Sequence, residues 1–172
     1  MRGQSIHLDP EFKTFTYGDP TRPKVSLQKL AAGSILVFYA GLKGWGFECP
    51  PALYIIGYFV VTRAGLANSF TKAELSRLFS NNFHVKHTKV LQHQKECLVL
   101  VKGGKGSRLL RKAVMISSIG ADRIGRPMYV LSTKMQKVFG KFGGHVGIQR
   151  CPPRSVAPEF SERASQFLRS RD

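Results

Sequence analysis

Three stretches of this chain carry residue types that can do chemistry at spacings worth reading. The first is His7-Leu-Asp-Pro10, with Thr14-Phe-Thr-Tyr-Gly-Asp-Pro20 close behind it. His7 and Asp9 are two residues apart, so in extended backbone their side chains lie on one side. A carboxylate that orients an imidazole makes a proton relay; the same pair can grip a metal ion or the donor and acceptor edge of a base. Turn formation accounts for these residues without chemistry, because Asp9 and Asp19 each precede proline and such aspartates close Asx-type turns. The second stretch, Asn81-Asn-Phe-His-Val85, sets Asn82 and His84 at the same spacing just after a helical pattern, where they can face the site of His7 and Asp9. If the chain is an enzyme, His7, Asp9 and His84 are the candidate catalytic groups. No spacing of the His-Glu-x-x-His kind marks a metal site. No cofactor is therefore expected, with a divalent ion at the His/Asp cluster left open as the alternative. His87 and His93 sit among lysines and read as part of a solvated basic face.

The third stretch is Lys102-Gly-Gly-Lys-Gly-Ser-Arg108. Glycines free the backbone to form a concave nest of N–H groups, and Ser107 can cap a following helix carrying Leu109, Leu110 and Ala113. Lys102, Lys105 and Arg108 would then converge with the helix end on an anion the size of phosphate. The order of a Walker A loop is absent, and a tight turn with solvated lysines is the competing reading. Gln149-Arg-Cys-Pro-Pro-Arg154 brings Arg150 and Arg154 onto a proline-stiffened connection. Each can grip a phosphate or a guanine edge with two hydrogen bonds, or pair with Glu159 or Glu162. Tyr17, Tyr39, Trp45 and Phe47 can stack on an unpaired base, with Asp19 and Asn82 reading its edge; core packing is the other use for such rings.

These residues need elements to hold them. Ser34-Ile-Leu-Val-Phe-Tyr-Ala40 and Leu53 to Val61 read as buried strands, joined by a glycine-rich, proline-closed loop carrying Trp45. Thr71-Lys-Ala-Glu74 is a capping box that opens a short helix. Further strands are expected at Cys97 to Val101 and Met128 to Leu131, a helix from Ser132 or Thr133 to Gly140, and a return to the sheet at Val146 to Gln149. The tail from Pro158 places Phe160, Ala164, Phe167 and Leu168 on one face of a docking helix. Short strands alternating with helices predict an α+β fold: one domain over 1–172 built on a mixed, strongly curved sheet or small barrel, with 156–172 as the docking helix.

Charge narrows the function. The formal net charge is +17, and residues 76 to 155 hold 16 lysines and arginines against only Glu96 and Asp122. A regional field of that sign attracts polyanions, of which nucleic acid is the commonest. Heat adaptation would raise glutamate along with lysine, and acids are scarce here. At 172 residues and 42% hydrophobic the chain supports a true core. Its longest apolar run falls well short of the roughly 20 residues that span a bilayer. The N-terminus lacks a signal-peptide layout, and three scattered cysteines argue for reduced thiols; a cytoplasmic protein without membrane contact is expected.

His-Leu-Asp-Pro at 7 to 10, Thr-Tyr-Gly-Asp at 16 to 19, Ser34 to Leu42 and Tyr54-Ile-Ile-Gly-Tyr-Phe59 together resemble the third family of nucleotide-modification-associated domains. Asn82, His84, Gly106-Ser-Arg-Leu-Leu110 and Gln149-Arg150 look like its later motifs. The resemblance implies a prokaryotic system that modifies, recognises or restricts bases in DNA. Where the family pattern has Gly-Asp before the first strand, this chain has Gly33-Ser34. The strand pair is also similar to the PUA, EVE and ASCH superfamily of small curved barrels, which implies binding of RNA or of flipped, modified bases. The leading expectation is a nucleic-acid-binding domain that accommodates a modified or extruded base, with DNA favoured over RNA and the basic half holding the backbone. The alternatives are an enzyme acting on that base or on a nucleotide, and an RNA-associated structural protein.

Overall fold

A computed structural model describes residues 9–44, 51–148 and 152–171. The fold is α+β, built on a strongly curled antiparallel sheet with short helices, as the alternation of elements predicts. Its strands are β1 (Thr16–Asp19), β2 (Ile35–Leu42), β3 (Ala52–Leu66), β4 (Val99–Gly103) and β5 (Arg108–Met115). The order is β1-β4-β3-β2, with β5 also paired to β3. A separate two-stranded sheet holds β6 (Ser117–Ala121) and β7 (Pro127–Leu131). The helices are α1 (Lys72–Phe79), α2 (Phe83–Lys86), α3 (Thr88–Gln94), α4 (Thr133–Phe139) and α5 (Pro158–Arg169), with 3-10 turns at Arg22–Lys29 and Ala67–Ser69. Chain contacts divide into two compact units, Met1–Leu36 with Phe59–Arg108 and Val37–Tyr58 with Leu109–Asp172.

In the first unit, Leu98, Leu100, Ala67, Phe70 and Phe79 form a buried cluster, with Leu75, Leu78, Val85 and Leu91 packed against it. The short helices thus lie over the face of β4 that carries Leu100. Thr71 opens α1 as the capping box predicts, its hydroxyl accepting from the Glu74 N–H while the Glu74 carboxylate accepts from the Thr71 N–H. In the second unit, α4 begins at the expected cap, Ser132, and stops at Gly140, whose φ of +71° favours glycine. A Cβ there would also meet the Phe160 ring at 2.6 Å. Helix α5 buries Ala164 and Leu168, and Phe167 meets Phe139 edge-on at 5.9 Å.

The helix expected after Ser107 is strand β5. Leu109 is exposed while Leu110 is buried, the alternation of a strand rather than the three-to-four spacing of a helix. The chain leaves one pairing with β3 and begins another, kinking through Gly103 to Ser107 at the step. The Gly104 N–H donates to the Val60 carbonyl at 2.8 Å, and the Ser107 hydroxyl accepts from the Val60 N–H at 2.9 Å. That hydroxyl supplies the acceptor a regular ladder would have had there, as a bulge requires. Ser107 is buried, so Ser107→Ala leaves a buried N–H without its acceptor. The expected cost is about 1–3 kcal/mol, read as a lower urea midpoint with the slope unchanged; an unaltered midpoint would show that water replaces the hydroxyl. Thr16 to Asp19 form a strand, and of the expected return at Val146 to Gln149 the described residues show a bridge between Val130 and Gly147, Gln149 lying outside them.

Candidate functional site

Strand β1 carries the site. It runs antiparallel to β4 with Gly18 opposite Leu100. Directly opposed residues share a face, so Gly18 lies on the side where α1 to α3 pack. A glycine inside a strand marks a close approach, and here the neighbours are Asn82 and His84. A Cβ on Gly18 would stand 3.0 Å from Asn82 Oδ1 and 3.0 Å from His84 Cδ2. On the backbone side, the Gly18 N–H donates to Asp9 Oδ1 at 3.1 Å. Asp9, Asn82 and His84 therefore meet around one residue without a side chain.

Local sequence explains how each is held. Asn82 is the N-cap of α2, and its Oδ1 accepts from the His84 N–H at 3.1 Å. The helix cap fixes the i, i+2 pair, and both side chains reach the same point at Gly18. His84 is 4% exposed, and its Nδ1 lies 2.7 Å from Gln94 Oε1 at the end of α3. That bond makes Nδ1 the protonated nitrogen when Gln94 presents its carbonyl oxygen. Asn82 is 1% exposed, and its Nδ2 is buried with no hydrogen-bond partner. A buried amide donor normally finds an acceptor, so this one is an exception among the described residues. Burial pushes the Asp9 carboxyl up to about 8; the nearby Asp19 carboxylate adds to this, while the Gly18 N–H and Lys24 oppose it. At neutral pH the group is mostly a neutral acid, able to donate from its hydroxyl as well as accept.

Other expected residues fall in different places. Tyr17 is buried and its hydroxyl donates to Asp19 Oδ2 at 2.9 Å, while Asp19 Oδ1 accepts from the Thr21 N–H at 2.8 Å. Asp19 thus does close the Asx-type turn, whereas Asp9 reaches nine residues along the chain. Tyr39 is half-buried in the second unit. His7, Trp45, Phe47 and Arg150 lie outside the described residues. His87, expected among solvated lysines, is half-buried with its ring 4.6 Å from Phe83, and its Nε2 is enclosed without a partner among the described residues; His93 is exposed as expected.

The glycine-rich stretch makes no helix end for an anion. The N–H groups of Gly103, Gly104 and Ser107 donate to Phe15, Val60 and Gly104 carbonyls within the fold. Lys102 Nζ donates to the Thr14 carbonyl, and burial lowers its pKa against the pull of Glu11. Lys105 and Arg154 are exposed and Arg108 is half-buried. Glu11 and Gln94 went unnoticed in the sequence. The Glu11 carboxylate accepts from Thr14 N–H at 3.1 Å and orders the loop that leads into β1. Among the described residues no three His, Cys, Asp or Glu side chains gather to hold a metal ion, and no helix is long and apolar enough to cross a membrane. A cleft of about 370 Å³ lies in the second unit, lined by Gly41, Lys43, Pro51, Leu53, Tyr129 and Ile148 among others. It shares no residue with the Asp9 cluster.

The family model described as nucleotide modification associated domain 3 matches residues 1–168 of this chain. No curated protein and no solved structure matches it.

Proposed function

The chain belongs to the family of nucleotide modification associated domain 3, and from that premise we propose that it is a nucleic-acid-binding domain which recognises a modified or extruded base. The family's description supports a role in DNA modification systems; the finer reading rests on the cluster around Gly18. The carrying observation is the Asn82 Nδ2 donor, buried, without a partner among the described residues, and packed with His84 against Gly18, whose N–H is bound by Asp9. An amide donor, a carboxylic acid that both donates and accepts, and an imidazole are the groups that read a base edge once the base has left its stack. Lys105, Arg108 and Arg154, with the rest of the basic surplus between 76 and 155, serve the phosphate backbone.

The Asp9 carboxyl supports a second reading, an enzyme acting on the base. A proton donor whose pKa lies near the working pH suits general acid catalysis, and His84 would accept or relay the proton.

His84→Ala separates base reading from charge. The folded variant, checked by circular dichroism, should lose about tenfold of its preference for an oligonucleotide bearing the recognised base over a matched one. Its affinity for unmodified DNA, and the salt dependence of that affinity, should stay within a factor of two. Equal preference in wild type and variant would remove the cluster from base reading, and turnover of the base by wild type alone would select the enzyme reading.

A further inference from the structure

The β6–β7 hairpin of the second unit has no part in the cluster around Gly18, and its outer end is built like a probe. Its register sets Ile119 opposite Tyr129 and Ala121 opposite Pro127. Directly opposed residues in an antiparallel pair share a face, so these four form an apolar strip running toward the turn. The turn itself, Asp122 to Arg126, presents Ile124 at 73% exposure, and Ile119 in the strip is 63% exposed. Single exposed isoleucines are ordinary on a protein surface. Two on one ribbon, continuous with a strip and ending at its tip, are an apolar edge with no cover of their own.

The tip is also held stiffly. Asp122 Oδ1 accepts from the N–H groups of Ile124 and Arg126, both at 2.9 Å, and Asp122 Oδ2 accepts from Arg126 Nε at 2.7 Å. Two further backbone bonds close the loop, Asp122 N–H to the Arg126 carbonyl and Gly125 N–H to the Asp122 carbonyl. The one acid of the hairpin is thereby consumed inside the turn. Arg126 is exposed but paired with that acid, so the net charge beside Ile124 is that of Arg123, also exposed.

We infer that the β6–β7 hairpin is a duplex-DNA arm that lies in the minor groove and presses Ile124 between base steps, with Arg123 on a flanking phosphate. The inference rests on the nucleic-acid reading above and adds a second contact surface to it. Charge selects the occupant: Arg123 stands next to the apolar tip, and the 16 basic residues of 76 to 155 surround it in sequence. Groove width selects DNA. Two-stranded ribbons enter B-form grooves, and the minor groove from which an apolar wedge acts on DNA is wide and shallow in A-form RNA. An apolar wedge set beside arginines is the means by which proteins partly unstack a step and kink the duplex. Flexible pyrimidine–purine steps are the sites where that deformation costs least.

The test uses a duplex carrying 2-aminopurine at a TA step and donor and acceptor dyes at its ends. Wild-type protein should raise the 2-aminopurine fluorescence and shorten the end-to-end distance. Ile124→Ser should abolish both signals and weaken binding about tenfold, while the slope of log affinity against log salt stays constant because no charge is lost. Arg123→Ala should keep the fluorescence signal and reduce that slope by about 0.9. Ile124 is exposed, so both variants should melt as wild type does. The inference is overturned if Ile124→Ser binds and unstacks DNA as wild type does, and salt-steep binding that persists in that result leaves the nucleic-acid reading intact. It is equally overturned if an RNA duplex binds as well with the same dependence on Ile124, or if Ile124→Ser acts by dissociating a protein dimer in sedimentation. Wild type that binds no nucleic acid at low salt would sink both readings together.

Discussion

Gly18→Ala is expected to destabilise the protein by about 1–3 kcal/mol and to erase the base discrimination proposed above. Gly18 is absent from the positive-φ glycines, so alanine fits its backbone and the whole effect comes from space. The new methyl would lie 3.0 Å from Asn82 Oδ1 and His84 Cδ2 and 3.2 Å from Asn82 Nδ2. Those groups cannot retreat freely. Asn82 Oδ1 caps α2 through the His84 N–H, and His84 is held at its other side by Gln94. Relief by moving Asn82 gives up the cap; relief by moving β1 stretches the Gly18 bond to Asp9. Chemical denaturation reports the first effect, and competition between base-bearing and matched oligonucleotides reports the second. A Gly18→Ala protein with wild-type stability and selectivity would mean that the cluster has slack and holds nothing in place.

Stability should fall as pH rises from about 4 to 8, the reverse of ordinary carboxylate behaviour. The folded-state pKa of Asp9, about 8, lies above the unfolded value of about 3.9. Between those values the folded chain holds a proton that the unfolded chain has released. The contribution is therefore complete below about pH 4 and disappears as pH passes through 8, with a slope on the order of 1 kcal/mol per pH unit. Asp9→Asn keeps an oxygen for the Gly18 N–H and cannot ionise. Urea midpoints measured from pH 5 to 9 should decline for wild type and run flatter for Asp9→Asn, with the variant the more stable at pH 9. A wild-type midpoint that rises over this range would show that Asp9 is ionised in the fold.

Much of this site could be read from residue types, and the rest fails for physical reasons. Asp9, Asn82 and His84 were legible as polar groups on short connections, and their meeting needed only that two loops come together. Gly18 carried a signal that went unread: a glycine between tyrosine and aspartate in a run of β-formers marks a strand with something pressed against it. The caps at Thr71 and Ser132 and the stop at Gly140 were legible because they are local chemistry. Strand β5 was not, since Leu109, Leu110 and Ala113 fit a helical stripe until tertiary pairing with β3 imposes a period of two. The glycines from 103 to 106 suggested a phosphate nest for the same reason. Glycine announces unusual backbone, and only the fold decides that the freed N–H groups go to Phe15 and Val60 rather than to an anion.

Fluorescence-anisotropy titration of wild-type protein, with a duplex carrying one extruded or modified base and with its matched counterpart over a range of salt, tests the central claim most directly. Both affinities should fall steeply and in parallel as salt rises, because the same lysines and arginines meet the same phosphates. A constant offset should favour the duplex whose base is already out of the stack, since its extrusion costs the protein nothing. Equal affinities for the two duplexes at every salt concentration, or a flat dependence on salt, would contradict the account.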